Sequence, residues 1–159
     1  MEDKNPKEKT DWTPLHDAAL NGHSDVCKLI MDLLVDKNPA DNLGNTPLHE
    51  AAARGQFEAF KVIFENARDK NPVDAEGWTP FHQAADIGNF EIVKFLLEHI
   101  EDKNPENDFG ETPEDMARSH GNLDVIRLFE NSNSNESKDM VTWSDSNSNL
   151  MTFHTIRNL

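Results

Sequence analysis

One motif pair returns every 33 residues along the chain. Thr-Pro stands at Thr13-Pro14, Thr46-Pro47, Thr79-Pro80 and Thr112-Pro113, and Asp-Lys-Asn-Pro begins at Asp3, Asp36, Asp69 and Asp102. Gly22, Gly55, Gly88 and Gly121 keep the same beat. Three independent motifs on one period mean a repeat architecture. A unit this small cannot bury its own apolar face and has to stack on neighbours.

The second unit shows how the residues write the structure. Thr46 is a good N-cap, because its hydroxyl can accept a backbone N–H of the first turn. Pro47 then takes the first helical position, where a missing N–H costs nothing. Ala51, Ala52 and Ala53 make a thin helix face that lets neighbouring units approach. Gly55 suits the left-handed conformation that ends a helix. A second helix follows with Ala59, Phe60, Val62 and Ile63 as its apolar set. Asn71-Pro72-Val73-Asp74-Ala75-Glu76-Gly77 is turn-rich and predicts a hairpin-like loop.

Thr13-Pro14-Leu15-His16 with Ala18-Ala19 and Gly22-His23 resembles the ankyrin repeat. So do Thr46-Pro47-Leu48-His49 with Ala51-Ala52 and Gly55, and Thr79-Pro80-Phe81-His82 with Ala84-Ala85 and Gly88. The fourth unit, Thr112-Pro113-Glu114-Asp115-Met116-Ala117 with Gly121, diverges. The resemblance spans roughly residues 3–130. It implies an all-α solenoid of four stacked helix–turn–helix units with hairpin loops projecting from one side. Two departures stand out. The family's glycine at the end of the second helix is replaced by Leu34, Ala67 and Ile100, so that helix is expected to run a little long with a non-glycine cap. The small apolar residue of the family's hairpin is replaced by Lys37, Lys70 and Lys103, which puts the usual hairpin packing in question.

The expected organisation is a partial repeat and hairpin over 1–12, four repeats over 13–131 (13–45, 46–78, 79–111 and 112–131), and a disordered tail rich in Ser and Asn over 132–159. The chain opens in mid-repeat, which fits a fragment of a longer array or an open end that meets a partner. The first full repeat is expected to present Leu15, Ala18, Val26, Leu29 and Ile30 with nothing before them. Glu114, Asp115 and Arg118 give the fourth unit the polar face that a capping repeat needs. Asp115, three residues after Thr112, is a variant of the capping box. In the tail, Met140-Val141-Thr142-Trp143 and Leu150-Met151-Thr152-Phe153 are two small apolar islands.

Net charge is −15, from 30 acids against 15 bases. That argues against nucleic acid, which needs clustered Lys and Arg, and against an anionic membrane surface. A basic protein partner is favoured. The lone Cys27 allows no intramolecular disulfide, and with no apolar leader and no long apolar run a cytoplasmic or nuclear monomer is expected.

No catalytic signature stands out: there is no phosphate-binding glycine loop and no Gly-x-Ser-x-Gly elbow. The chain is read as no enzyme, with no cofactor and no metal. His16, His49 and His82 recur one per unit, and in the ankyrin family this histidine is structural, bonding near the first-helix N-terminus. Cys27 shares a column with Phe60, Val93 and Ile126 and reads as a small core residue. Asp25, Glu58, Glu91 and Asp124, each three residues before Lys28, Lys61, Lys94 or Arg127, make a solvated outer face.

The columns that vary between units carry the functional expectation. The resemblance implies that partners are gripped by hairpin tips and by the exposed side of the first helix. The candidate contacts on those columns are Trp12, Asp17, Leu20, Leu43, Asn45, Glu50, Arg54, Glu76, Trp78, Asp86, Ile87, Asp108 and Phe109. Large apolar groups at exposed positions mark interaction sites, and aromatic anchors dominate interface energetics. The expected function is a non-catalytic protein-interaction scaffold. The alternative is the substrate-recruiting arm of a larger enzyme or adaptor.

Overall fold

The computed structural model describes the backbone of residues 11–138, 140–144 and 150–154, and the side chains of residues 11–134. The helices are α1 (Pro14–Leu20), α2 (Ser24–Leu33), α3 (Pro47–Ala53), α4 (Phe57–Asn66), α5 (Pro80–Asp86), α6 (Phe90–His99), α7 (Pro113–Ser119) and α8 (Leu123–Lys138). They form two layers. The short helices α1, α3, α5 and α7 stack in one, α2, α4, α6 and α8 stack in the other, and the two helices of each unit pack on each other. This is the all-α solenoid that the period predicts.

Each short helix starts for a local reason. Thr13, Thr46, Thr79 and Thr112 are extended N-caps followed by proline at the first helical position. The hydroxyl of Thr79 accepts the His82 N–H at 3.3 Å, and that of Thr112 accepts the Asp115 N–H at 3.2 Å. Between the layers lies one continuous core. Ala51, Ala52, Ala84 and Ala85 keep the short helices close, while Met31, Phe60, Ile63, Leu96 and Phe129 fill the space behind them. Burying each such large side chain contributes about 1.5–3 kcal/mol. Cys27 sits in this core, and burial pushes its thiol up to about 11.

The recurring histidines tie the first helix of each unit to the hairpin that leads into the next. Nδ1 of His16, His49 and His82 accepts the backbone N–H of the N-cap threonine at 3.1 Å in all three units. Nε2 therefore carries the proton and donates to a carbonyl 29 residues on, that of Asn45, Trp78 or Glu111, at 3.0 Å each. Each bond ties a helix start to the tip of the following hairpin. Burial holds the His49 and His82 imidazoles below their ordinary value.

The Asp-Lys-Asn-Pro motif explains the missing helix-ending glycine. The second helices stop one residue before Leu34, Ala67 and Ile100, which are extended caps. The chain then turns back, and the ammonium groups of Lys37 and Lys70 donate to the carbonyls of Met31 and Phe64 in the last turn. A cation at a helix C-terminus satisfies an orphan acceptor and opposes the dipole. Asn38 also reaches the next unit. Its Oδ1 accepts the Arg68 and Asp69 N–H groups at 2.9 and 3.2 Å, and its Nδ2 donates to the Asp69 carbonyl at 2.9 Å. The lysines cap their own helices, and Asn38 makes the link.

The structure departs from the sequence reading at both ends. Leu15 and Ala18, expected to lie open, are buried on α1, which packs against α2 and α3. Val26 and Leu29 are exposed as expected, and Ile30 is partly buried. At the far end, α8 continues through the expected boundary at Asn131 to Lys138. Serine and asparagine are poor helix formers, yet a helix anchored by packed side chains propagates cheaply. Ser134 bonds back to the Glu130 carbonyl at 2.8 Å. The two apolar islands pair as antiparallel strands, β1 (Met140–Ser144) and β2 (Leu150–His154), with Val141 opposite Phe153 and Trp143 opposite Met151. Such a pairing departs from the disorder expected over 132–159, as alternating apolar residues around a polar connection favour a hairpin. Of the expected partial unit over 1–12, residues 1–10 lie outside the described residues.

Candidate functional site

The varied columns converge on the row of hairpin tips. Each tip is a tight turn organised by one side chain. Oδ1 of Asp41 accepts the Leu43 and Asn45 N–H groups, Oδ1 of Asp74 those of Glu76 and Trp78, and Oδ1 of Asn107 those of Phe109 and Glu111, all between 2.8 and 3.0 Å. An acidic or amide side chain that bonds N–H groups two and four residues ahead is a standard way to hold such a turn. Neighbouring tips are then stitched by backbone bonds: Ala75 N–H to the Leu43 carbonyl at 2.9 Å, and Asp108 N–H to the Glu76 carbonyl at 3.0 Å. Gly77 permits that approach. It has φ +77°, and a Cβ there would lie 2.8 Å from the Asp108 nitrogen.

This stitching leaves apolar groups facing outward. Leu43 is 53% exposed, Ile87 47% and Phe109 67%. Leu43, Asn45, Glu76 and Trp78, four of the predicted contacts, come together around one recess of about 340 Å³, completed by Asp74, Ala75 and Gln83. No basic side chain lines it. Gln83 Oε1 is buried there without a hydrogen-bond partner.

The other predicted contacts are dispersed along the same row. Trp12 donates its indole N–H to Asp17 at 2.9 Å and stacks on His16, with ring centroids 4.9 Å apart. Leu20 is half-buried at the end of α1, and Glu50 is half-buried within α3. Arg54 is an exposed cap of α3. Asp86 lies 2.9 Å from Nδ1 of His120, joining the third and fourth units. Asp108 is exposed and supplies its backbone to the stitch.

Two features escaped sequence reasoning. Gln83 stands in the column of Asp17 and Glu50, but sequence does not show that its amide oxygen is left without a partner. On the opposite layer, Phe57, Phe90 and Phe95 open a second shallow groove of about 360 Å³ with Glu91, Lys94 and Glu98. The column of acids and bases had suggested only a solvated face there. Arg127 meets Asp124 at 3.3 Å, and both are well exposed, so the pair contributes little.

Among the described residues no cluster of His, Cys, Asp and Glu is arranged to hold a metal ion. No described helix is long and apolar enough to cross a membrane. A search of curated proteins finds no match to the chain. The family model for ankyrin repeats, a set of three copies, matches residues 1–74 and again residues 66–139. With the repeat period, the threonine–histidine boxes and the stitched tips, that match covers most of the chain: the chain belongs to the ankyrin repeat family.

Proposed function

We propose that this chain is a non-catalytic interaction module that binds a partner protein through the row formed by its hairpin tips and short helices. Ankyrin repeats are generally protein-interaction modules. The observation that carries the reading is the recess at Leu43 and Trp78, with Ile87 and Phe109 exposed along the same row. Rigid, exposed apolar and aromatic groups held by a fixed backbone are pre-organised contacts that lose little entropy on binding. The contact set is Trp12, Asp17, Leu20, Leu43, Asn45, Glu50, Arg54, Glu76, Trp78, Asp86, Ile87, Asp108 and Phe109. The net charge of −15 favours a partner with a basic surface.

The test is affinity capture from the source cell with the chain and with Trp78→Ala plus Ile87→Ala. The chain should retain a partner that the double variant releases, while the variant's circular dichroism and melting midpoint stay close to those of the parent. Equal capture by both would contradict this face as the interface.

A further inference from the structure

Trp12 and Trp78 stand at equivalent places 66 residues apart, and each is followed five residues later by an acceptor, Asp17 or Gln83. The two pairs differ. In the first unit the Trp12 indole N–H is bonded to Asp17 at 2.9 Å. In the third, the Gln83 oxygen is buried without any partner, and the Trp78 ring lies against His82, 5.8 Å between centroids and tilted by 53°. The first pair is closed on itself. The second leaves an unpaired amide oxygen on a residue that lines the recess, beside a half-buried indole.

The remaining walls make the missing donor specific. Leu43 and Ala75 are apolar, Glu76 is an exposed carboxylate, and Asn45 adds an amide. Asp74 spends one oxygen on its own turn but keeps its charge beside the recess. An apolar partner group would leave the Gln83 oxygen unsatisfied, which is costly for a buried acceptor. An anion would meet two carboxylates. A guanidinium fits all the walls: its stem can lie on Leu43, its plane can stack on an indole, and its fork of donors can serve both a carboxylate and an amide oxygen.

We propose that this recess is a receptor for a single arginine side chain of the partner. The proposal rests on the reading that the tip face binds a protein. It names the chemistry of one contact in that interface.

The test is an NMR titration of the full chain with an acetylated, amidated Gly-Arg-Gly peptide, against the same peptide carrying citrulline or lysine. The arginine peptide should shift the Trp78 indole and Gln83 side-chain amide signals, with affinity about tenfold above the citrulline peptide, which keeps the shape and loses the charge. Lysine should fall below arginine, since it lacks the planar fork. Glu76→Gln and Gln83→Leu should each bring arginine affinity toward that of citrulline while the melting midpoint holds. Equal binding of arginine and citrulline, no shift at Trp78 and Gln83, or lysine matching arginine would each overturn the assignment. A partner captured through Trp78 and Ile87 while arginine and citrulline bind alike would sink this proposal and leave the interaction reading standing. Arginine binding without any tip-dependent partner would do the reverse.

Discussion

The first and last units of the array carry the same framework and finish it in opposite ways. On the leading face of the second helices, Val26 is 45% exposed, whereas its equivalents Ala59, Ile92 and Val125 are at most 1% exposed. Leu29, beside it, is 62% exposed. On the trailing face, Met31 and Phe64 are buried and Leu97 partly so, and the fourth unit puts the exposed Glu130 in their place. The boxes differ likewise. Each histidine reaches a carbonyl 29 residues on, in the hairpin that leads to the next unit, while Asp115 has the shorter reach and closes only its own helix start, accepting the Thr112 N–H and hydroxyl at 2.9 and 2.7 Å. The comparison teaches that each repeat packs on its neighbours as well as within itself. The outer faces differ in kind: polar at the fourth unit, with Glu130, and apolar and exposed at the first, with Val26 and Leu29.

The largest expected effect separates shared core from open face. Phe60→Ala, at a side chain fully buried on α4 and edge-on to Phe95 of the next unit, should cost about 3–5 kcal/mol. Leu29→Ala on the open face of α2 should stay within about 0.5 kcal/mol. Urea unfolding followed by circular dichroism would measure both. Similar losses would mean that Leu29 is covered in solution.

A smaller contrast concerns the tips. Gly77 and Gly110 have nearly the same φ, +77° and +75°, but only Gly77 has a neighbouring tip against it. Gly110→Ala should cost only the strain of a left-handed backbone, about 1 kcal/mol. Gly77→Ala adds a backbone clash that the stitch cannot absorb, and should cost clearly more. Equal thermal shifts for the two variants would break the idea that tips are held by one another.

The smallest effect is in pH. His49 and His82 are held below their ordinary value of 6.5, foremost by burial. The unfolded chain therefore takes up protons that the folded array refuses. Stability from these groups is complete above pH 6.5 and falls as pH drops through their lower folded values. Asp115 works in a lower window. Its carboxyl is held below 3.8 by the Thr112 N–H and hydroxyl, so its contribution is present above 3.8 and lost as pH falls through the folded value. Melting midpoints between pH 7 and 5 should decline, and His49→Gln should flatten part of that slope. An unchanged slope in the variant would show that the His49 link is not what titrates.

Much of this was legible because repetition multiplies the signal. Thr46, Pro47 and His49 mean little alone, but four Thr-Pro pairs, three of them followed by His, at one spacing fix the helix starts and the layers. Leu43, Asn45, Glu76 and Trp78 could be picked as varied tip positions, and they do share one recess. The unpaired acceptor of Gln83 was not legible, because hydrogen-bond pairing depends on side-chain positions that a column of residue types does not give. Nor was the role of Lys37, whose partner Met31 lies six residues back around a helix end that no glycine marks. The burial of Leu15 was missed because residues that face forward and backward along a stack look alike in sequence. The continuation of α8 to Lys138 was hidden by residues that usually end helices.

Segment-resolved hydrogen exchange compares the two situations directly, a second helix with an exposed apolar face against one buried between neighbours. Amides of α1 and α2 should exchange faster than those of α5 and α6, because Val26 and Leu29 are exposed on α2 while Ile92 on α6 is buried against its neighbours. Protection in α1 and α2 equal to or above that in α5 and α6 would contradict a stack held together chiefly by bonds between neighbours.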